Sequence, residues 1–109
     1  MRVAVPVEEP SFNSKVSEHF GKAKYVAVFL VTGRKLSGAE LIELPEGHTP
    51  GELPALLKEK CVDVLLANRV GGRALSHFQA LGIKVITGAE GRAIDVVRLF
   101  LKSIESTES

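Results

Sequence analysis

The sequence predicts an α/β domain built on a mixed sheet of about five strands, with about three helices on its faces. Three observations predict it. The later half of the chain alternates helix-like and strand-like segments, which demands right-handed parallel crossovers. Earlier, two strand-like segments flank a short turn and read as a hairpin, so one strand must run antiparallel. The last segment carries a broad apolar stripe at helical spacing, suited to docking on a sheet.

Taken in order, residues 2–7 form a β-branched run and the first, central strand. Pro6 cannot donate to a ladder, so it belongs near the strand end or at a bulge. Residues 8–17 are polar and contain Pro10, Asn13 and several serines, as a loop does. Residues 25–31 are continuously apolar and read as a buried strand. Thr32-Gly33-Arg34-Lys35 supplies the turn, and residues 36–44 return as the antiparallel partner. Residues 45–51 are dense in Pro and Gly and must be a loop.

Leu53, Leu56 and Leu57 then take helical spacing through Lys60. Residues 62–67 are almost wholly apolar, as expected of a strand covered on both faces. Gly71-Gly72 opens a helix with Leu75, Phe78 and Leu81 on one face, and Gly82 ends it. Residues 83–87 form the last strand and 88–91 a loop. The final helix places Ile94, Val97, Leu101 and Ile104 on one stripe, flanked by Ala93, Val96 and Phe100. One domain over 1–105 and a frayed tail over 106–109 account for the whole chain.

Composition narrows the function classes. The chain has 109 residues, 45% of them hydrophobic and 25% charged, enough for one core without a metal or disulfide. Fourteen Lys and Arg against thirteen Asp and Glu leave a formal charge of +1. A field able to capture nucleic acid or a membrane surface is therefore absent, and any anion site must come from local geometry. Cys61 is the only cysteine, so neither an intrachain disulfide nor a four-thiolate cluster site can form within one chain. The apolar N-terminus meets Glu8-Glu9 too soon for a signal peptide, and no segment approaches the roughly 20 apolar residues of a membrane span. These features together point to a cytoplasmic protein.

Sheets of this kind bind ligands at the carboxyl ends of their strands, where strand order switches. Three loops meet there: those after the first strand, after Ala67 and after Thr87. The second, Asn68-Arg69-Val70-Gly71-Gly72-Arg73, could cradle an anion, with backbone amides at a helix start and Arg69 and Arg73 adding charge. On turn chemistry alone it reads as an ordinary strand-to-helix turn, and its spacing matches neither the phosphate-binding loop nor the dinucleotide fingerprint. Gly88-Ala89-Glu90-Gly91-Arg92 occupies the equivalent place after the next strand.

His19 and His48 lie in loops, where side chains can reach a ligand, whereas His77 beside a helical stripe is structural or solvated. Taken alone, a loop histidine is most often a surface residue, and no pair has zinc-motif spacing. Cys61 reads as a small buried hydrophobe, with no base nearby in sequence. The first strand carries no carboxylate, against two-metal nuclease chemistry, and Asp63 and Asp95 face solvent or cap neighbouring elements.

Beyond these readings, residues 1–7 and Val16-Ser17-Glu18-His19-Phe20-Gly21-Lys22-Ala23 resemble the opening of the dinitrogenase iron–molybdenum cofactor biosynthesis family. That family includes NifX-like carriers, the C-terminal domain of the NifB cofactor-assembly protein and many small stand-alone members. The resemblance continues through His48-Thr49-Pro50-Gly51, residues 62–67, Gly72-Arg73-Ala74-Leu75 and Gly88-Ala89-Glu90-Gly91. Ser-Glu-His-Phe-Gly is its most specific piece.

The resemblance implies a ribonuclease-H-like three-layer fold without nuclease activity. It also implies non-catalytic binding, carriage or assembly of an anionic metal–sulfur cluster, either iron–molybdenum cofactor-like or an iron–sulfur precursor. His19 and His48 become candidate metal ligands, with Asn68, Arg69, Gly71, Gly72 and Arg73 as the anion cradle. A preassembled cluster brings its own sulfides, so few protein ligands suffice. Two departures stand out: Asn68-Arg69-Val70 is bulkier than the family's usual loop, and Cys61 stands where a glycine is usual.

The implied partners are the cluster and a cluster-assembly or acceptor protein, not nucleic acid or membrane, with the chain a monomer or homodimer. Two other classes stand beside it: a binding module for a small phosphorylated ligand or nucleotide that uses the same loops without metal, and a docking domain for a larger assembly protein.

Overall fold

The computed structural model describes residues 1–45 and 52–108, with side chains through residue 103. Its strands are β1 (Arg2–Val7), β2 (Tyr25–Thr32), β3 (Lys35–Glu43), β4 (Val64–Leu66) and β5 (Lys84–Ile86). Its helices are α1 (Glu52–Glu59), α2 (Gly72–Ala80) and α3 (Ala93–Glu108), whose backbone covers residues 106–108 of the expected tail. The strands join in the order β3-β2-β1-β4-β5. β2 is antiparallel to both neighbours, while β1, β4 and β5 are parallel. The central first strand, the hairpin and the parallel crossovers are those the sequence predicts, and they build the ribonuclease-H-like plan.

Side-chain alternation along the strands creates two cores. Ala4, Val26, Val28 and Leu65 point to one face and pack with Leu53 and Leu57 of α1 and with Ala74 and Phe78 of α2. Val3, Val5, Val7, Ala27, Phe29, Val64 and Leu66 point to the other face and pack with Ala93, Val97 and Leu101 of α3. β1 and β4 are thus buried on both sides, which is why they read as unbroken apolar runs. The two cores give three layers: α1 and α2, the sheet, and α3. Among the described residues no helix is long and apolar enough to cross a membrane.

Pro6 sits inside β1, opposite Val26. Pairing with β4 ends at Ala4, and the Pro6 carbonyl accepts from the Ser17 amide at 2.9 Å. The strand alternation that turns the Arg2 amide toward Asp63 turns the imide nitrogen of Pro6 the same way, beyond the ladder, where no donor is needed.

Cys61 departs from expectation. It is exposed rather than buried and adopts φ +60 in the turn after α1. Its amide donates to the Lys58 carbonyl at 3.0 Å, closing the helix end in the left-handed way that favours glycine. Sequence reasoning placed the thiol in the core because Val62 to Ala67 follow directly, but the chain must first reverse from α1 into β4. Cys61→Gly should therefore stabilise the fold by roughly 0.5–1 kcal/mol, the relieved left-handed strain less the entropy glycine adds to the unfolded chain. Urea denaturation with an unchanged m-value would measure this, and a lower midpoint would contradict it.

Candidate functional site

The carboxyl ends of β1, β4 and β5 open toward one pole of the sheet, and the loops that follow them are stitched together there. After β1 the chain crosses that pole instead of looping away. Ser14 O accepts from the Ala93 amide at 2.9 Å, Phe12 O accepts from the Ile94 amide at 3.1 Å, and the Val16 amide donates to Gly91 O at 2.9 Å. The ring of Phe12 rests 5.7 Å from that of Phe29, anchoring the crossing segment to the α3-side core. Between the loops after β4 and β5, Gly88 N–H donates to Asn68 O and the Asn68 side-chain amide donates to Ala89 O. Gly88 and Gly91 have φ of +84 and +103, so glycine is required at both turns.

His19 is placed by its neighbour. Phe20, only 2% exposed, is driven into the core, where its ring meets that of Phe78 edge-on at 5.3 Å and 66°. Its amide donates to Arg69 O at 3.0 Å, and His19 and Arg69 form an isolated parallel bridge. The backbone on either side of the imidazole is therefore fixed, while His19 itself is exposed at the start of the 3-10 turn Phe20–Lys22, with no side-chain capping bond. A reachable ring on a held backbone suits ligation.

Two cavities lie beside this segment. One, of about 500 Å³, is lined by Glu8, Ser17, Glu18, His19, Lys22 and Lys24. The other, of about 590 Å³, is lined by Glu8, Glu18, Lys15, Asn68, Arg69 and Glu90, with Val16, Ala89 and Gly91. Glu8 and Glu18 border both. Each is of a size to hold a small ligand or cluster. Neither is a field of positive charge, since carboxylates balance the lysines and arginine.

The structure thus brings His19, Asn68 and Arg69 together. Gly71, Gly72 and Arg73 are exposed and line neither cavity, although Gly71 caps the bare start of α2 without a side-chain bond. A Cβ added at Gly71 or Gly72 would meet nothing within 4 Å, and Gly71 has an ordinary φ of −63. Neither packing nor the Gly71 backbone angle explains these glycines. His48 lies outside the described residues. No group of three or more His, Cys, Asp or Glu suited to a metal ion occurs among the described residues. His77 is exposed on α2, and Cys61 lies at the amino end of β4, across the sheet from His19.

Sequence reasoning missed Ser17, Lys22, Lys24, Glu8 and Glu18. Ser17 is the informative omission: it is 4% exposed, and its Oγ is buried without a hydrogen-bond partner among the described residues. Leaving a buried hydroxyl unmatched costs about 1–3 kcal/mol. Only its place in Ser-Glu-His-Phe-Gly hinted at it, because burial and partner count are properties of the folded chain.

The chain as a whole is similar to several known proteins. A solved structure, PH0822, is 38% identical with a TM-score of 0.88, covering 94% of this chain and 92% of that one. The apo form of the orange protein from Desulfovibrio gigas is 28% identical with a TM-score of 0.82, covering 94% and 88%. The protein MJ0580 of Methanocaldococcus jannaschii is 26% identical over 106 residues, 94% of this chain and 86% of its own length. The family model described as dinitrogenase iron-molybdenum cofactor matches residues 1–103. The chain belongs to the dinitrogenase iron–molybdenum cofactor family.

Proposed function

We propose that this protein is a non-catalytic carrier of an anionic metal–sulfur cluster, taken up at the pole where the loops after β1, β4 and β5 meet. The observation that carries the reading is the tie between the His19 segment and Arg69, which presents an exposed imidazole on a fixed backbone beside two cavities. His19 ligates a metal of the cargo. His48, in the stretch outside the described residues, is the second ligand suggested by the family resemblance. Asn68 and Arg69 meet the cargo from the β4 loop. The amides at Gly71 and Gly72, with Arg73, extend the cradle from the start of α2. The cargo is iron–molybdenum cofactor or an iron–sulfur precursor, and an assembly or acceptor protein is its source or destination.

The carboxylates of Glu8, Glu18 and Glu90 argue against capture by bulk charge. Cargo is held by direct ligation and short-range donors, so moderate salt should weaken loading only slightly. Catalysis is not part of this reading: among the described residues the Ser17 hydroxyl has no hydrogen-bonded base, and no group of three or more His, Cys, Asp or Glu is suited to a metal ion.

The test is anaerobic loading with isolated cofactor, or with iron, sulfide and molybdate, followed by desalting. Stoichiometric metal and sulfide with a charge-transfer absorption band are expected, and a colourless, metal-free protein would overturn the reading. Gly72→Ala sharpens the test. Replacing the opening glycine of α2 should raise the stability of the unloaded protein by about 0.5 kcal/mol. The same methyl group would project where cargo approaches and reduce retention. A stabilised variant with undiminished retention would take Gly72 out of the cradle.

A further inference from the structure

We infer that the cavity on the His19 side is a binding site for a small tetrahedral oxoanion that still carries a proton, of which hydrogen phosphate is the example. The buried hydroxyl of Ser17 is its anchoring donor. This does not depend on the cluster reading.

The starting point is the Ser17 Oγ, unmatched among the described residues. Its backbone is fixed by the bond from its amide to Pro6 O at 2.9 Å, and its residue is 4% exposed, so bulk water does not satisfy the hydroxyl. Native folds rarely leave such a group idle, and Ser17 lines the cavity, so rotation of its side chain onto the cavity side would give the hydroxyl an acceptor from the ligand. The other walls define what that ligand must be. Lys22 and Lys24 offer only donors, His19 offers a ring N–H, and ionised Glu8 and Glu18 offer only acceptors. A fully deprotonated anion would meet the two carboxylates lone pair to lone pair. A protonated oxoanion presents acceptor oxygens to Ser17, His19, Lys22 and Lys24 and its own O–H to Glu8 or Glu18. At neutral pH phosphate keeps a proton and sulfate keeps none, so the site should separate two ions of nearly equal size. An amino-acid zwitterion fits less well, because it brings three N–H donors to a site in which donor side chains outnumber acceptors.

Isothermal titration calorimetry on the full chain at neutral pH and constant ionic strength, with inorganic phosphate, sulfate and glycine as probes, tests this. Saturable phosphate binding is expected, with sulfate and glycine at least tenfold weaker. Ser17→Ala should melt no lower than the parent, since it removes an unmatched hydroxyl, yet bind phosphate about tenfold or more weakly, as loss of a donor to a charged group does. The double variant Glu8→Gln/Glu18→Gln should lose the discrimination, with sulfate approaching phosphate, because its amides can donate to either ion. Equal binding of phosphate and sulfate by the parent, tighter glycine binding, or an unchanged phosphate affinity in Ser17→Ala would each overturn the inference. A simple phosphomonoester as a fourth probe identifies the source: tighter binding than free phosphate assigns the site to a phosphorylated metabolite, weaker binding to the free ion. Loss of phosphate binding would leave cluster carriage standing, since metal and sulfide retention tests that separately.

Discussion

Phe20→Ala is expected to lower the unfolding free energy by about 3–5 kcal/mol and to weaken cargo binding in the molecules that remain folded. The stability loss follows from burial. Phe20 lies in the core between the sheet and the α1–α2 layer, 2% exposed, and its ring edge meets Phe78. Truncation forfeits the transfer of the ring from water, leaves a cavity, and removes an aromatic pair worth about 0.5–1.5 kcal/mol beyond area. Against a total stability of about 5–15 kcal/mol this is a large fraction.

The functional part follows from position. Phe20 is the anchor that holds His19 against Arg69, so its loss frees the loop that carries the imidazole. Phe78→Ala is the control. It empties the same core from the α2 side and should cost a similar amount, but it leaves the Phe20 ring in place to anchor the His19 loop. Urea denaturation measures both losses, and cargo retention normalised to folded protein measures the rest. Equal retention in the two variants would show that the ring of Phe20 stabilises the core without positioning His19.

The contrast between Phe20 and Ser17 also shows what a sequence can and cannot disclose here. Period and composition carry the sheet order, because strands buried on both faces, such as β1 and β4, leave unbroken apolar runs and force helices between them. The convergence of the loops after β1, β4 and β5 follows from that order alone, before any contact is known. The Cys61 turn was misread because its cause is a backbone angle: a chain reversal at φ +60 leaves no trace in hydropathy. The unmatched hydroxyl of Ser17 was invisible for a related reason, since a partner that fails to arrive is a fact about three-dimensional neighbours. Lys22 and Lys24 carry no signal of their own in the sequence, and only the placement of Glu8 and Glu18 beside them gives that charge a pattern. The two arginines expected in the cradle are likewise told apart only by the folded chain. Arg69 reaches a cavity wall while Arg73, four residues on, lies past the first residue of α2 and lines neither cavity.

His19→Ala should leave the fold intact and reduce cargo affinity by about 100-fold or more. The first half rests on exposure: the ring is outside the core and makes no capping hydrogen bond, so stability should change by no more than about 0.5 kcal/mol. The second half rests on the number of available ligands. No cysteine lies at this pole, and among the described residues lining the two cavities His19 is the only imidazole. Even residues that merely orient a metal ligand are worth about 10–100-fold in affinity, so removing a ligand itself should cost at least the upper part of that range. His77→Ala, on the exposed face of α2, should change nothing and controls for the general loss of a histidine. Competition between a metallochromic chelator and the loaded protein, read by the charge-transfer band, gives the ratio. If His19→Ala holds its cargo as tightly as the parent, ligation falls to His48 and the loop amides, and the fixed backbone around residue 19 exists for Phe20 alone. If it loses cargo while melting at the parental temperature, the anchor and the ligand are adjacent residues with separate tasks.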